Sequence, residues 1–147
     1  MTNIAYELGA QVQEKLHTSD DIDSISYESL LVMGMGGSGV SGDVLKLLSN
    51  FASSTEVNVV KNYTIPAHLI SKSPFCLFIS YSGNTEETIS GLNEAINNDF
   101  DFAVISSGGK LIKLAQDNNK QYIQIPFRTS TKSCIWILSS SSLYIFR

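Results

Sequence analysis

Five short apolar runs, most of them separated by helical patterns, constrain the fold of this chain more than any other feature of its sequence. The runs are rich in β-branched and aromatic residues and lie at 30–33, 57–60, 75–79, 102–105 and 122–125. Helical patterns lie between them at 44–51, 86–96 and 111–115, and no hairpin turns connect them. Strands that alternate with helices pair in parallel and are covered on both faces. The sequence therefore predicts an α/β fold, a three-layer doubly wound sheet of five parallel strands in flavodoxin-like order.

A further helix is predicted before the first of these strands. Ile4, Leu8, Val12 and Leu16 recur every four residues, which places them on one stripe of an amphipathic helix that ends near His17. This extra N-terminal helix is expected to pack rather than to carry chemistry.

Composition limits the classes of partner. The 147 residues, 43% of them hydrophobic, suit one domain with a real core. The net charge of −4 argues against a nucleic-acid partner, since phosphate-backbone binding needs a basic face. No apolar run approaches the roughly 20 residues of a membrane span. Cys76 and Cys134 show neither metal-ligand nor disulfide spacing, and the N-terminus shows no signal-peptide pattern, so a reducing cytoplasm is the expected location.

A glycine-rich loop follows the first predicted strand. The stretch MGGSGVSGD leaves backbone N–H groups of Gly36 and Gly37 open to an anion, and Ser38 adds a hydroxyl at the start of a helix. Its G-x-G-x-x-G spacing also permits a dinucleotide site, but the second strand ends in 61–63, Lys-Asn-Tyr, where such a site needs an acidic residue. A tight turn without a ligand is the third interpretation.

A second polar loop, ISYSGNTEET, follows the third predicted strand and precedes a helix. Its hydroxyl and amide groups are typical of a cradle that grips phosphate oxygens with neutral donors and the helix dipole. An ordinary N-cap would explain one serine or threonine, but it would not explain both Ser80 and Ser82 at the strand end.

Together, MGGSGVSGD, SYSGNTEET and the later ISSGGKL resemble the sugar isomerase (SIS) domain, and more closely that of the bifunctional phosphoglucose/phosphomannose isomerases. The resemblance runs from the N-terminal helix to about Pro126. It implies that the two serine-rich loops bind the phosphate of a sugar 6-phosphate (fructose, glucose or mannose 6-phosphate). The phosphate ligands that it implies are Gly37, Ser38, Ser80, Ser82 and Thr85, with Gly36, Gly83 and Asn84 as secondary candidates.

The resemblance also implies what lies elsewhere. In the resembled family the catalytic Glu and His belong to a second SIS domain, the full-length protein is a homodimer, and isomerisation proceeds through a cis-enediol without metal or organic cofactor. No catalytic residue is therefore expected in this chain. Glu86 and Glu87 suit a helix dipole as first-turn carboxylates, while His17 and His68 are expected to be exposed.

The composition changes at Pro126, so the domain is expected to span 1–126 and an atypical tail 127–147. The family continues with a pattern like P-x-G-x-Q-P-R-A-A-x-G-Y, whereas this chain reads PFRTSTKSCIWI. One permitted back-translation of that stretch, after deletion of a single T, encodes PSGLQPRAAFG. We hypothesise that 127–147 is an out-of-frame tail; a divergent native helix or a disordered tail is the alternative.

Three functions are compatible with the sequence, and the third of them is a dinucleotide-binding domain. The first is the phosphate-binding part of a glucose-6-phosphate/mannose-6-phosphate isomerase, inactive alone. The second is a stand-alone phosphosugar-binding module or regulator without catalysis.

Overall fold

The computed structural model describes residues 17–18, 27–52 and 55–126. Strands and helices alternate through most of this part of the chain. In order they are β1 (His17–Thr18), β2 (Ser29–Met33), α1 (Gly36–Ala52), β3 (Glu56–Val60), α2 (Ala67–Ile70), β4 (Phe75–Ser80), α3 (Glu86–Asn97), β5 (Phe102–Ser106), α4 (Gly109–Asp117) and β6 (Gln121–Gln124).

The strands form one sheet in the order β1-β6-β5-β4-β2-β3. All neighbouring pairs are parallel except β1, which pairs antiparallel with the edge of β6. The five parallel strands therefore have the flavodoxin-like order, with the switch point between β2 and β4, and the predicted α/β fold is confirmed. Ligands of open α/β sheets bind beyond the carboxyl ends of the strands at that point.

Side chains alternate between the two faces of the sheet. In β2, Leu30 and Val32 point into one apolar cluster, whereas Leu31 and Met33 point into the other. Helix α1 adds Leu45 to the first cluster, and α3 and α4 contribute to the second. Both faces are covered, and the central strands β2, β4 and β5 are apolar except for one terminal serine in each.

The predicted strands and helices are found within two residues of their expected bounds, except that α1 begins earlier, at Gly36. Two short elements were not predicted: α2 and β1. His17 was expected to end a helix, but it lies in β1 opposite Gln124 of β6. The unpaired backbone groups along the edge of β6 can bind a further strand, and the spacing of apolar residues near His17 gives no sign of this distant pairing. The predicted N-terminal helix and the predicted tail lie outside the described residues.

Within the described part of the chain, no helix is both long enough and apolar enough to cross a membrane.

Three residues that precede strands form a polar clamp at the amino edge of the sheet. The Asp101 carboxylate accepts a hydrogen bond from the Tyr27 hydroxyl at 2.8 Å and pairs with the Lys120 ammonium at 2.6 Å. The hydrogen bond from Lys120 and then that from Tyr27 hold the pKa of Asp101 below its ordinary value. The ionised carboxylate therefore favours the folded state.

Replacing Asp101 by asparagine should lower the free energy of unfolding at pH 7 by less than about 1 kcal/mol, because both charged groups remain accessible to water. A carboxyl with a lowered folded-state pKa stabilises the fold above its unfolded pKa and loses that effect as the pH falls through the folded pKa. The difference between wild type and Asp101→Asn should therefore shrink from pH 7 to pH 3. Urea denaturation across this range tests it, with Asp117→Asn as the control. An undiminished difference at pH 3 would contradict this assignment.

Candidate functional site

Three loops meet at the carboxyl edge of the sheet, around the switch point. We call them the first loop (34–38, from the end of β2 into α1), the second loop (80–85, from the last residue of β4 to the start of α3) and the third loop (106–110, from the last residue of β5 into α4). β2 and β4 are adjacent parallel strands, as are β4 and β5. Their carboxyl ends therefore bring the three loops into one crevice.

The first loop packs directly on the end of β4. A Cβ atom at Gly34 would lie 2.8 Å from the backbone oxygen of Ile79, so only glycine permits this approach. Gly36 begins α1 with φ +51, a left-handed conformation that favours glycine. Gly37 is exposed, while Ser38 is buried and its Oγ accepts a hydrogen bond from the Tyr81 N–H at 3.3 Å. The first and second loops are thus within hydrogen-bond distance of each other.

The second loop is folded around the Ser80 hydroxyl. Ser80 Oγ lies 2.8 Å from Thr85 Oγ1, and it accepts the Gly83 N–H at 3.2 Å. The Asn84 N–H donates to Ser82 Oγ at 3.2 Å. Ser80 is buried, Thr85 is half-buried and Ser82 is exposed. The hydroxyl groups of this loop therefore lie around the N-terminus of α3, from its buried side to its solvent-exposed side.

The third loop supports the second loop. Gly83 has φ +68, and a Cβ atom there would overlap the backbone oxygen of Gly108. The Leu111 N–H donates to the Gly83 oxygen at 3.0 Å, and the Lys110 N–H donates to Asn84 Oδ1 at 3.1 Å. These contacts give Gly83 and Asn84 a structural role, whatever they contribute to a ligand.

The electrostatics of the crevice favour an anion held by dipoles. The first-turn N–H groups of α1 and α3 lack intrahelical partners and carry partial positive charge. Glu86 and Glu87 lie in the first turn of α3, where carboxylates stabilise the helix. The negative charge of Glu87 raises the pKa of the exposed Tyr63 phenol. Lys110, at the start of α4, is exposed.

The residues predicted to bind phosphate come together in this crevice: Gly37, Ser38, Ser80, Ser82 and Thr85, with Gly36, Gly83 and Asn84. His68 is exposed as expected, and it lies in α2. Among the described residues, no three His, Cys, Asp or Glu side chains cluster in a way that would hold a metal ion. Ser107 was not predicted as a site residue from the sequence, but its hydroxyl donates a hydrogen bond to the Tyr81 backbone oxygen at 2.6 Å.

No protein-family model matches the chain. Among curated proteins, the chain is 38% identical over 112 residues to a bifunctional phosphoglucose/phosphomannose isomerase of Thermoplasma volcanium, a match that covers 76% of this chain and 34% of the relative. The corresponding isomerase of Aquifex aeolicus is 36% identical over 105 residues, or 71% of this chain and 32% of the relative. The chain thus spans about a third of the length of these relatives.

Among solved structures, the Vibrio vulnificus NanR protein complexed with ManNAc-6P matches with a TM-score of 0.60 and 15% identity, over 98% of this chain and 52% of that one. This likeness shows a shared fold. The sequence matches and the geometry of the three loops point to the same conclusion: over the matched region, the chain is similar to about a third of the length of the bifunctional phosphoglucose/phosphomannose isomerases.

Proposed function

We propose that this chain binds the phosphate group of a hexose 6-phosphate between the first and second loops. The proposal rests on the hydrogen bond from the Tyr81 N–H to Ser38 Oγ, which links the N-terminal regions of α1 and α3 at the switch point of the sheet. Two helix N-termini that face one crevice form an anion site. The relatives act on phosphorylated hexoses by name, which supports a sugar phosphate over other anions.

Neutral groups would hold the phosphate. In the proposal, Gly37 offers a backbone N–H, while Ser38, Ser80, Ser82 and Thr85 offer hydroxyl groups. Ser80 and Thr85 share one hydrogen bond of 2.8 Å in which either oxygen could donate. Since each hydroxyl has one proton, this pair retains one proton for a phosphate oxygen. Hydrogen bonds to a charged acceptor are stronger than neutral ones, so such a cradle needs no lysine.

The reaction belongs, in this proposal, to the full-length isomerase. Aldose–ketose isomerisation needs a base that moves a proton between C1 and C2, and the crevice described above supplies binding and orientation only. Glu86 and Glu87 are explained by the dipole of α3. We therefore infer that this chain binds the sugar phosphate. In the proposal, the catalytic base lies in another part of the full-length enzyme, which acts as a homodimer.

A second candidate is a phosphosugar-binding module or regulator without catalysis. The observation that favours it is the structural match to the NanR protein complexed with ManNAc-6P, which extends over 98% of this chain. Phosphate recognition would be the same in both candidates. They differ in whether isomerisation of fructose 6-phosphate appears when the domain is joined to the part of a relative that the match does not cover.

Thermal unfolding of the 147-residue chain tests the proposed ligand. Fructose 6-phosphate at about 100 times its Kd should stabilise the fold by about 2.7 kcal/mol, which is roughly 5–10 °C in Tm. We expect glucose 6-phosphate or mannose 6-phosphate to act similarly, fructose and NAD to have no effect, and Ser82→Ala to abolish the shift. Ser71→Ala, which removes an exposed hydrogen bond to the His68 oxygen, is the matched control. A shift with NAD, or none with any sugar phosphate, would refute the proposal.

A further inference from the structure

The backbone of Tyr81 connects all three loops of the site. Its N–H donates to Ser38 Oγ in the first loop at 3.3 Å. Its carbonyl oxygen accepts two hydrogen bonds from the third loop, one from the Ser107 N–H at 3.1 Å and one from the Ser107 hydroxyl at 2.6 Å. Tyr81 also lies between Ser80 and Ser82, the two strand-end serines of the proposed cradle. The position of the Tyr81 backbone therefore affects where Ser38, Ser80 and Ser82 lie relative to one another.

Ser107 is itself held by hydrogen bonds from β6, the neighbour of β5 on the side opposite β4. Its backbone oxygen accepts a hydrogen bond from Gln124 Nε2 at 3.2 Å, and the oxygen of the preceding Ser106 accepts the Ile125 N–H at 2.9 Å. Both donors belong to the carboxyl end of β6 or the residue after it. A continuous path of hydrogen bonds thus runs from β6 through Ser107 and Tyr81 to Ser38.

The Ser107 hydroxyl has one proton, and that proton is donated to the Tyr81 oxygen. It is therefore not available to donate to a phosphate oxygen while this bond is made. Its effect on a ligand must be exerted through Tyr81, in contrast to the hydroxyl groups of Ser80 and Thr85, which line the head of α3.

We propose that Ser107 is a positioning residue of the sugar-phosphate site, which fixes the second loop against the first through the backbone of Tyr81. This inference rests on the proposed function. Loss of its hydroxyl removes one of the two hydrogen bonds that hold the Tyr81 oxygen, so the fold should survive while the cradle loosens. One neutral hydrogen bond is worth about 1 kcal/mol, so the affinity for the ligand should fall roughly 3- to 10-fold.

Isothermal titration of the full chain with fructose 6-phosphate tests this inference. Four proteins are compared: wild type, Ser107→Ala, Ser107→Thr and the control Ser71→Ala. The threonine variant keeps the hydroxyl and should restore most of the wild-type affinity, whereas a loss due to general destabilisation would not depend on the hydroxyl. Ser71→Ala removes a hydrogen bond of the same kind, to the His68 oxygen at 3.1 Å, and should bind like wild type.

A Ser107→Ala chain that binds as tightly as wild type overturns the positioning role and leaves the proposed function intact. Equal losses in Ser107→Ala and Ser107→Thr, matched by equal drops in Tm, also overturn it, because the hydroxyl would then not be the cause. If wild type itself binds no sugar phosphate, the proposed function fails, and the role of Ser107 in binding fails with it.

Discussion

Replacing Gly83 by alanine should destabilise the chain by more than about 4 kcal/mol, at the far end of the effects of single substitutions. Gly83 has φ +68, which disfavours any side chain. An added Cβ would overlap the backbone oxygen of Gly108 and would lie 2.6 Å from Ser106 Oγ. Backbone of the third loop cannot yield without losing the hydrogen bond from the Leu111 N–H to the Gly83 oxygen. We therefore expect loss of fold and of ligand binding together.

Gly36→Ala separates the cost of a left-handed backbone conformation from the cost of steric overlap. Gly36 also has a positive φ, +51, but a Cβ atom there would meet nothing within 4 Å. It should cost only the strain of a left-handed residue, about 1–2 kcal/mol. Urea denaturation of both variants measures the difference. Equal, mild destabilisation by the two substitutions would show that the second and third loops are not packed as closely as described.

Replacing Ser80 by alanine should weaken the binding of fructose 6-phosphate by roughly 10- to 100-fold. The Ser80 hydroxyl is buried and makes the 2.8 Å hydrogen bond to Thr85 Oγ1. It also accepts the Gly83 N–H at 3.2 Å. Ser80 and Thr85 together offer one proton to the phosphate, and without Ser80 the Thr85 hydroxyl loses the partner that aligns it. The variant should therefore lose most of the proposed hydrogen bond of this pair to a charged phosphate, which is worth about 1.5–3 kcal/mol.

Isothermal titration measures this loss, and Ser29→Ala is its control. Ser29 is a buried serine of β2, and its Oγ has no hydrogen-bond partner within the described structure. Removing an unpartnered hydroxyl costs little, so Ser29→Ala should keep both its stability and its affinity. Wild-type affinity in Ser80→Ala would remove this residue from the proposed cradle.

The sequence was most informative about elements that are apolar and periodic. Short apolar runs such as 75–79 are typical of buried strands, and the alternation of most of these runs with helices predicted the parallel sheet. The two serine-rich loops were recognisable because each follows a strand and opens a helix. Their meeting in one crevice then follows from the order of β2 and β4.

Features that depend on distant pairing could not be read from the sequence. β1 has two residues and exists by pairing with β6, more than 100 positions further along the chain. α2 has four residues, too few for a periodic pattern. Ser107 acts on Tyr81, 26 residues away, and only the adjacency of β4 and β5 brings them together. The hypothesis of an out-of-frame tail at 127–147 stays a prediction.

Amide NMR during titration of the uniformly labelled chain with fructose 6-phosphate would show whether the first and second loops hold one phosphate. We expect one saturable set of shift changes, at one ligand per chain, centred on Gly37, Ser38 and 80–85, with smaller changes at Ser107. Unchanged resonances in both loops at saturating ligand, or changes confined to 61–63 at the end of β3, would contradict it.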